Sequence, residues 1–237
     1  MSRSWPPLTE LRWDDTHRLI PDAYAHSATP VLASLADGAD VELLTALAQA
    51  TSRRVLVQQG AVPSGIHADE LVYGVPEWEV VNAAFCYPHP QGSRFNGPHR
   101  GAWYAGREVA TSIAEVAFHR TVELHETDYF DVQLDYADFV ADVRGSFHDL
   151  RGPTDRRARA CLHPASYERS QALAEHLVEA GSLGVVYPAV RYPGGEAVAC
   201  FRPATVNHVR RGARFRFTWH GPGEPSVEEL PTRSRRR

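Results

Sequence analysis

Lysine is absent from this 237-residue chain, so all 25 of its cationic side chains are arginine. A phosphate-binding loop that depends on lysine is thereby excluded, and the glycines at 92, 97, 101 and 106 do not fall into the G-x-G-x-x-G spacing of a dinucleotide fold. Cysteine is scarce. Cys86, Cys161 and Cys200 form an odd set without paired spacings, which argues against a disulfide scaffold or a zinc site and points to a reducing, cytoplasmic setting. No stretch approaches the roughly 18 apolar residues of a membrane span. The opening MSRSWPPLTELRWDD has no apolar core of a signal peptide, so the sequence predicts a protein neither secreted nor membrane-embedded. Charge of one sign is also lacking: the net charge is −4, too small to mark a direct nucleic-acid or membrane partner. Twelve histidines are present, but no two of them form an i, i+4 His pair with an acidic partner, and no metal is expected.

What is there suits a packed core, since 43% of the residues are hydrophobic. Residues 1–16 read as an N-terminal arm, and His17–Pro21 as a short strand stopped by proline. Asp40–Ala50 has helical apolar spacing behind Asp40 as N-cap. Residues 60–78 are punctuated by Gly, Pro and His and read as loop or short hairpin elements, and the apolar VVNAAFCY that follows as a buried strand. AWYA at 102–105 reads as a strand and Arg107–Arg120 as an amphipathic helix. Residues 129–143 partly alternate, which predicts a long or broken strand, and Tyr167–Ala180 returns to helical spacing before Gly181. Strands around 184–187, 197–201 and 215–219 complete one α+β domain over 17–220, a mixed β-sheet with flanking helices. The Arg-rich tail 221–237 reads as disordered.

The densest chemistry lies in Gly92-Ser-Arg-Phe-Asn-Gly-Pro98, Gly101-Ala-Trp-Tyr-Ala-Gly106 and the helix carrying Glu115. Arg94 offers a planar fork of donors for a phosphate or carboxylate. Tyr104 can present its ring to a flat, cationic heterocycle. Glu115 flanks the apolar stripe of its helix, where a carboxylate can stabilise an oxocarbenium-like ribose.

Four stretches together resemble the RES domain family from about Arg18 to Trp219: HRLIP, the helix followed by ATSRR, GSRFNGPHRGAWYAGREVATSIAEVAFHR, and ERSQALAEHLVEAGSLGVVYPAVRYPGGEAVACFRP. The resemblance implies a fold similar to ADP-ribosyltransferases and an activity that cleaves the nicotinamide–ribose bond of NAD, by hydrolysis or phosphorolysis. It implies a toxin of a toxin–antitoxin system, held by an Xre-like antitoxin. NAD would be the substrate rather than a cofactor. It assigns Arg94 to the NAD phosphates or ribose, Tyr104 to nicotinamide stacking and Glu115 to the ribosyl cation. Arg18, Asn96, Tyr187, Ala189 and Arg191 are further substrate-binding candidates. Ala189 stands where the family usually carries serine, in Tyr187-Pro-Ala-Val-Arg191. Two alternatives stay open: a catalytically silent nucleotide-binding or interaction module, and ADP-ribosyl transfer to a macromolecule. A homo-oligomer or a larger toxin–antitoxin complex is equally open.

Overall fold

The structure is a computed structural model and describes residues 5–25, 65–152 and 156–231. The expected helix at 40–50 and the ATSRR segment lie outside the described residues. Seven strands are described: β1 (Leu8–Pro21), β2 (Trp103–Gly106), β3 (Asp131–Asp149), β4 (Gly184–Pro188), β5 (Glu196–Cys200), β6 (Val206–His220) and β7 (Ser226–Leu230). The described helices are α1 (Trp78–Cys86), α2 (Val109–Thr127), α3 (Arg156–Cys161) and α4 (Glu168–Glu179).

The strands form one mixed sheet in the order β1-β2-β5-β4-β3-β6-β7, and β1 also pairs with β3. That extra pairing bends β1, β2, β5, β4 and β3 into a closed ring. The ring closes because β3 is long enough to serve three partners. Its N-terminal part pairs with β6 (Asp131↔His220), most of its length pairs with β1 (Leu8↔His148), and its last residues pair in parallel with β4 (His148↔Val185). The single α+β domain of mixed sheet expected from the sequence is thus the observed architecture.

Three expectations are corrected. First, β1 begins at Leu8, so most of the supposed arm is strand. Leu11 and Trp13 point into the core while Glu10, Arg12 and Asp14 face solvent, the alternation of a half-buried strand. Second, VVNAAFCY is helical. Val81, Asn82, Phe85 and Cys86 share its buried face, and Asn82 ties the helix to the preceding loop by accepting from the Val72 N–H and donating to its carbonyl, at 3.1 and 2.8 Å. A short apolar run reads the same way as strand or helix when periodicity alone is used. Third, the tail forms β7 on the free edge of β6, placing Glu228 opposite Arg216.

Packing divides into three regions. In one, α1 lies against Trp103, Phe139, Val143 and Phe147. In another, α4 supplies Ala174 and Leu177 to Phe95, Val185 and Phe201. In the third, Ile113, Val116, Ala117 and Leu124 of α2 cover Leu19, Tyr136, Phe217 and Trp219. Strand β2 runs between regions: Trp103 and Ala105 face the first, Tyr104 the second.

Candidate functional site

A cleft opens where the start of α2 meets β1, β2, β4 and β5. It encloses about 510 Å³ including its mouth, and is walled by Arg18, Tyr104, Thr111, Ser112, Glu115 and Tyr187 with Leu19, Ala105, Gly106, Val116 and Ala197.

Strand β2 and helix α2 approach closely because Gly106 has no side chain. A Cβ there would stand 2.8 Å from both the Ser112 hydroxyl and the Thr111 Cβ. Ser112 fixes the approach: its hydroxyl accepts from the Gly106 N–H at 3.1 Å and donates to the His17 carbonyl at 2.7 Å, tying α2 to β2 and β1. Glu115, one turn on, is thereby aimed at the cleft. Its side chain is about a quarter exposed, with His119 Nε2 at 3.6 Å.

Tyr104 is held by its hydroxyl, which accepts from the Phe95 N–H and donates to Asn96 Oδ1, both at 2.8 Å. The Arg-Phe-Asn turn that supplies these partners is itself tight, closed by Ser93 and Asn96 pairing with each other. Gly92 at φ 73° starts the turn, and a Cβ there would meet the Asn96 carbonyl at 2.2 Å. Asn96 therefore acts as a support for Tyr104 rather than a wall of the cleft. Burial pushes the Tyr104 phenol up, only partly countered by the Phe95 N–H and the nearby Arg18 and Arg94 charges. Tyr187 behaves likewise: burial first, then the negative charge of Glu115, hold its phenol well above the ordinary value. Both tyrosines thus remain neutral at physiological pH.

Of the three arginines expected to meet the substrate, the structure puts Arg18 in the wall and Arg94 behind it. Arg94 is buried, donates from Nη1 to the carbonyls of Cys161 (3.3 Å) and His163 (2.8 Å), and lies over the Tyr167 ring at 4.7 Å. Its charge still reaches the Tyr104 and Tyr187 phenols. Arg18 stacks over Trp103 at 5.0 Å and, among the described residues, gives one hydrogen bond, Nη1 to the Tyr104 carbonyl at 3.2 Å, while its buried Nε has no partner. No carboxylate pairs with it among the described residues, and burial brings its pKa down to about 10. A cation in that state favours an anion. Arg191 lies 3.4 Å from the Phe118 ring centre, donates to the Pro164 carbonyl, and does not wall the cleft. Nor does Ala189, which is buried with its N–H on the Gly195 carbonyl at 2.8 Å.

Two contributors escape the sequence reading. Ser112 and Thr111 are ordinary helix residues by pattern. Their only signal is that both stand a few residues beyond Gly106, where helix and strand must touch. Among the described residues, no group of three or more His, Cys, Asp or Glu is arranged to hold a metal ion. No described helix is long and apolar enough to cross a membrane.

The sequence model of the RES domain matches residues 71–220. The chain belongs to the RES domain family. The match spans β2, α2 and β3 to β6, and so most of the cleft wall, with Arg18 and Leu19 lying before it. Among solved structures, one titled as the M. tuberculosis MbcT–MbcA toxin–antitoxin complex is similar over 91% of this chain and 87% of the other, at 13% identity and a TM-score of 0.46. No curated protein matches.

Proposed function

We propose that this RES domain cleaves the nicotinamide–ribose bond of NAD and is the toxin of a toxin–antitoxin pair, restrained by an antitoxin of the Xre-like kind that the family resemblance implies. The observation that carries the reading is the meeting of Arg18, Tyr104, Glu115 and Tyr187 in one cleft. In this reading Arg18, a cation that no carboxylate among the described residues pairs with, holds the diphosphate. The fixed Tyr104 ring packs against the nicotinamide, and Glu115 faces the anomeric carbon.

The bond from that carbon to the pyridinium nitrogen breaks with its electron pair going to nitrogen, so nicotinamide leaves neutral and needs no acid. Positive charge grows on the ribose, where the Glu115 carboxylate stabilises it. Water or phosphate then attacks the anomeric carbon; water gives up a proton to solvent and leaves ADP-ribose. Arg94, fixed behind the wall, acts through the two tyrosines and the turn it braces. The alanine at position 189 removes no hydroxyl from the cleft wall, which favours an active enzyme over a silent module.

Purified chain incubated with NAD, with and without phosphate, should release nicotinamide, and a Glu115→Gln variant should release it at least about 100-fold more slowly. Binding of NAD without release would establish the silent module instead, and label carried from NAD to a protein or nucleic acid would establish ADP-ribosyl transfer. In cells, expression without a partner should lower NAD and arrest growth, and Glu115→Gln should do neither.

A further inference from the structure

Five serine and threonine residues are buried among the described residues: Thr16, Thr111, Ser112, Ser170 and Thr205. Four of the hydroxyls are bonded to backbone carbonyls, of Ala141, His17, Tyr167 and Arg202 respectively, at 2.7 to 3.0 Å. Thr111 alone has no partner, although only 1% of it is exposed. A helical threonine can satisfy itself on the carbonyl four residues back, as Thr121 does on Ala117 at 2.8 Å. Thr111 does not, and folded chains seldom leave such a group unanswered without reason.

Its position supplies the reason. Thr111 lies in the first turn of α2 and in the cleft wall. It precedes Glu115 by four residues, so the two side chains share a helix face, with about 5–6 Å between their Cβ atoms. The chain keeps a glycine beside it: a Cβ on Gly195 would come within 2.6 Å of the hydroxyl. Arg18, with its own unpartnered Nε, lines the same cleft. Two unpartnered groups, both sealed from solvent, therefore belong to residues that wall one cleft, and each can give a hydrogen to an acceptor oxygen that reaches it.

We propose that Thr111 binds the substrate directly, its hydroxyl bonding a hydroxyl oxygen of the ribose whose anomeric carbon Glu115 faces. The proposal rests on the NAD-cleavage reading and adds a contact to it. An oxygen two or three bonds from the anomeric carbon falls within one helical turn of the carboxylate, the separation of the two side chains. The contact registers the sugar along α2, so that Glu115 meets the reacting carbon rather than a neighbour.

The experiment compares wild type, Thr111→Val and Thr111→Ser in nicotinamide release and in melting temperature. Thr111→Val keeps shape and loses the hydroxyl; kcat/KM for NAD should fall about five- to twentyfold. Its melting temperature should not drop, because the hydroxyl has no internal partner to lose. Thr111→Ser should stay within about twofold of wild type. NAD lacking the 2′- or the 3′-hydroxyl of the nicotinamide ribose completes a double-variant cycle: for one of the two, the Thr111→Val loss should disappear. Wild-type kinetics in Thr111→Val, a marked fall in its melting temperature, or an equal loss with both analogues would overturn the proposal and leave NAD cleavage standing. A wild type that neither binds nor cleaves NAD would remove the cleavage reading itself, and this contact with it.

Discussion

Arg18 shows what a buried, sparsely partnered cation costs at the scale of one residue. Among the described residues a single backbone carbonyl answers its guanidinium, and burial brings its pKa down to about 10. A cation whose folded pKa lies below its unfolded one weakens the fold at every pH below the folded value. That cost disappears only as pH rises above about 10, where the folded group is neutral and the unfolded one still charged. An arriving anion removes it at neutral pH. We therefore expect Arg18→Met to melt no lower than wild type, while NAD, which should raise the wild-type melting temperature, no longer shifts the variant's; thermal melts with and without NAD decide it. The family resemblance ranked Arg94 above Arg18, although an arginine in a Gly-rich turn is more often a residue that braces its loop. The structure reverses their placement for a reason that spacing cannot show: the carbonyls that hold Arg94 belong to residues 161 and 163, far along the chain. Tyr104 and Glu115 were legible because their strand and helix were legible.

At the scale of elements, the site depends on how closely α2 sits on β2. Gly106 and Ser112 set that distance, and Thr111 and Glu115 inherit it. A Gly106→Val side chain would drive the first turn of α2 off the strand. We expect about 1–3 kcal/mol of lost stability in urea unfolding, and a larger proportional loss of NAD turnover than stability alone accounts for. Helix α2 itself could be read from Ala110, Ile113, Ala114, Ala117 and Phe118 recurring on one face, of which Ile113 and Ala117 pack on the sheet, and β5 from its apolar run. Helix α1 could not, because nine residues are too few for a helical period to declare itself against a strand of similar length. The same limit explains β7, five residues in a segment whose glycine, proline and arginine content suggested no order. Its partner strand β6 provides that order.

Over the whole molecule, a few arginine clamps join segments distant in sequence, and Glu70 is the centre of one. Arg100 grips both its carboxylate oxygens at 2.8 Å, Arg202 adds a third bond, and the same arginines reach the carbonyls of Gly65, Phe201 and Val178. Burial alone would raise the Glu70 pKa, but the Arg100 hydrogen bonds, the His67 N–H and Arg202 outweigh it and bring it to about 2. Because the folded value lies below the unfolded 4.5, the stabilisation is complete above that pH and is lost as acid carries the group through 2. Unfolding free energy followed from pH 6 to about 2 should fall, and Glu70→Gln should be less stable at neutral pH with a shallower acid slope. Closure of the sheet into a ring was hidden from the sequence in the same way, since it needs β1 to pair with β3 across more than a hundred residues.

The three cysteines carry a last consequence. None is in a disulfide and all are buried, Cys86 and Cys200 in the packing under α1, Cys161 in the packing under α4. Burial pushes the Cys200 thiol up to about 12, so even a thiol briefly reached by solvent reacts slowly until its surroundings open. Native chain should therefore resist alkylation, and the order in which the sulfurs become modified under mild denaturant is a clock for which of these two packing regions comes apart first.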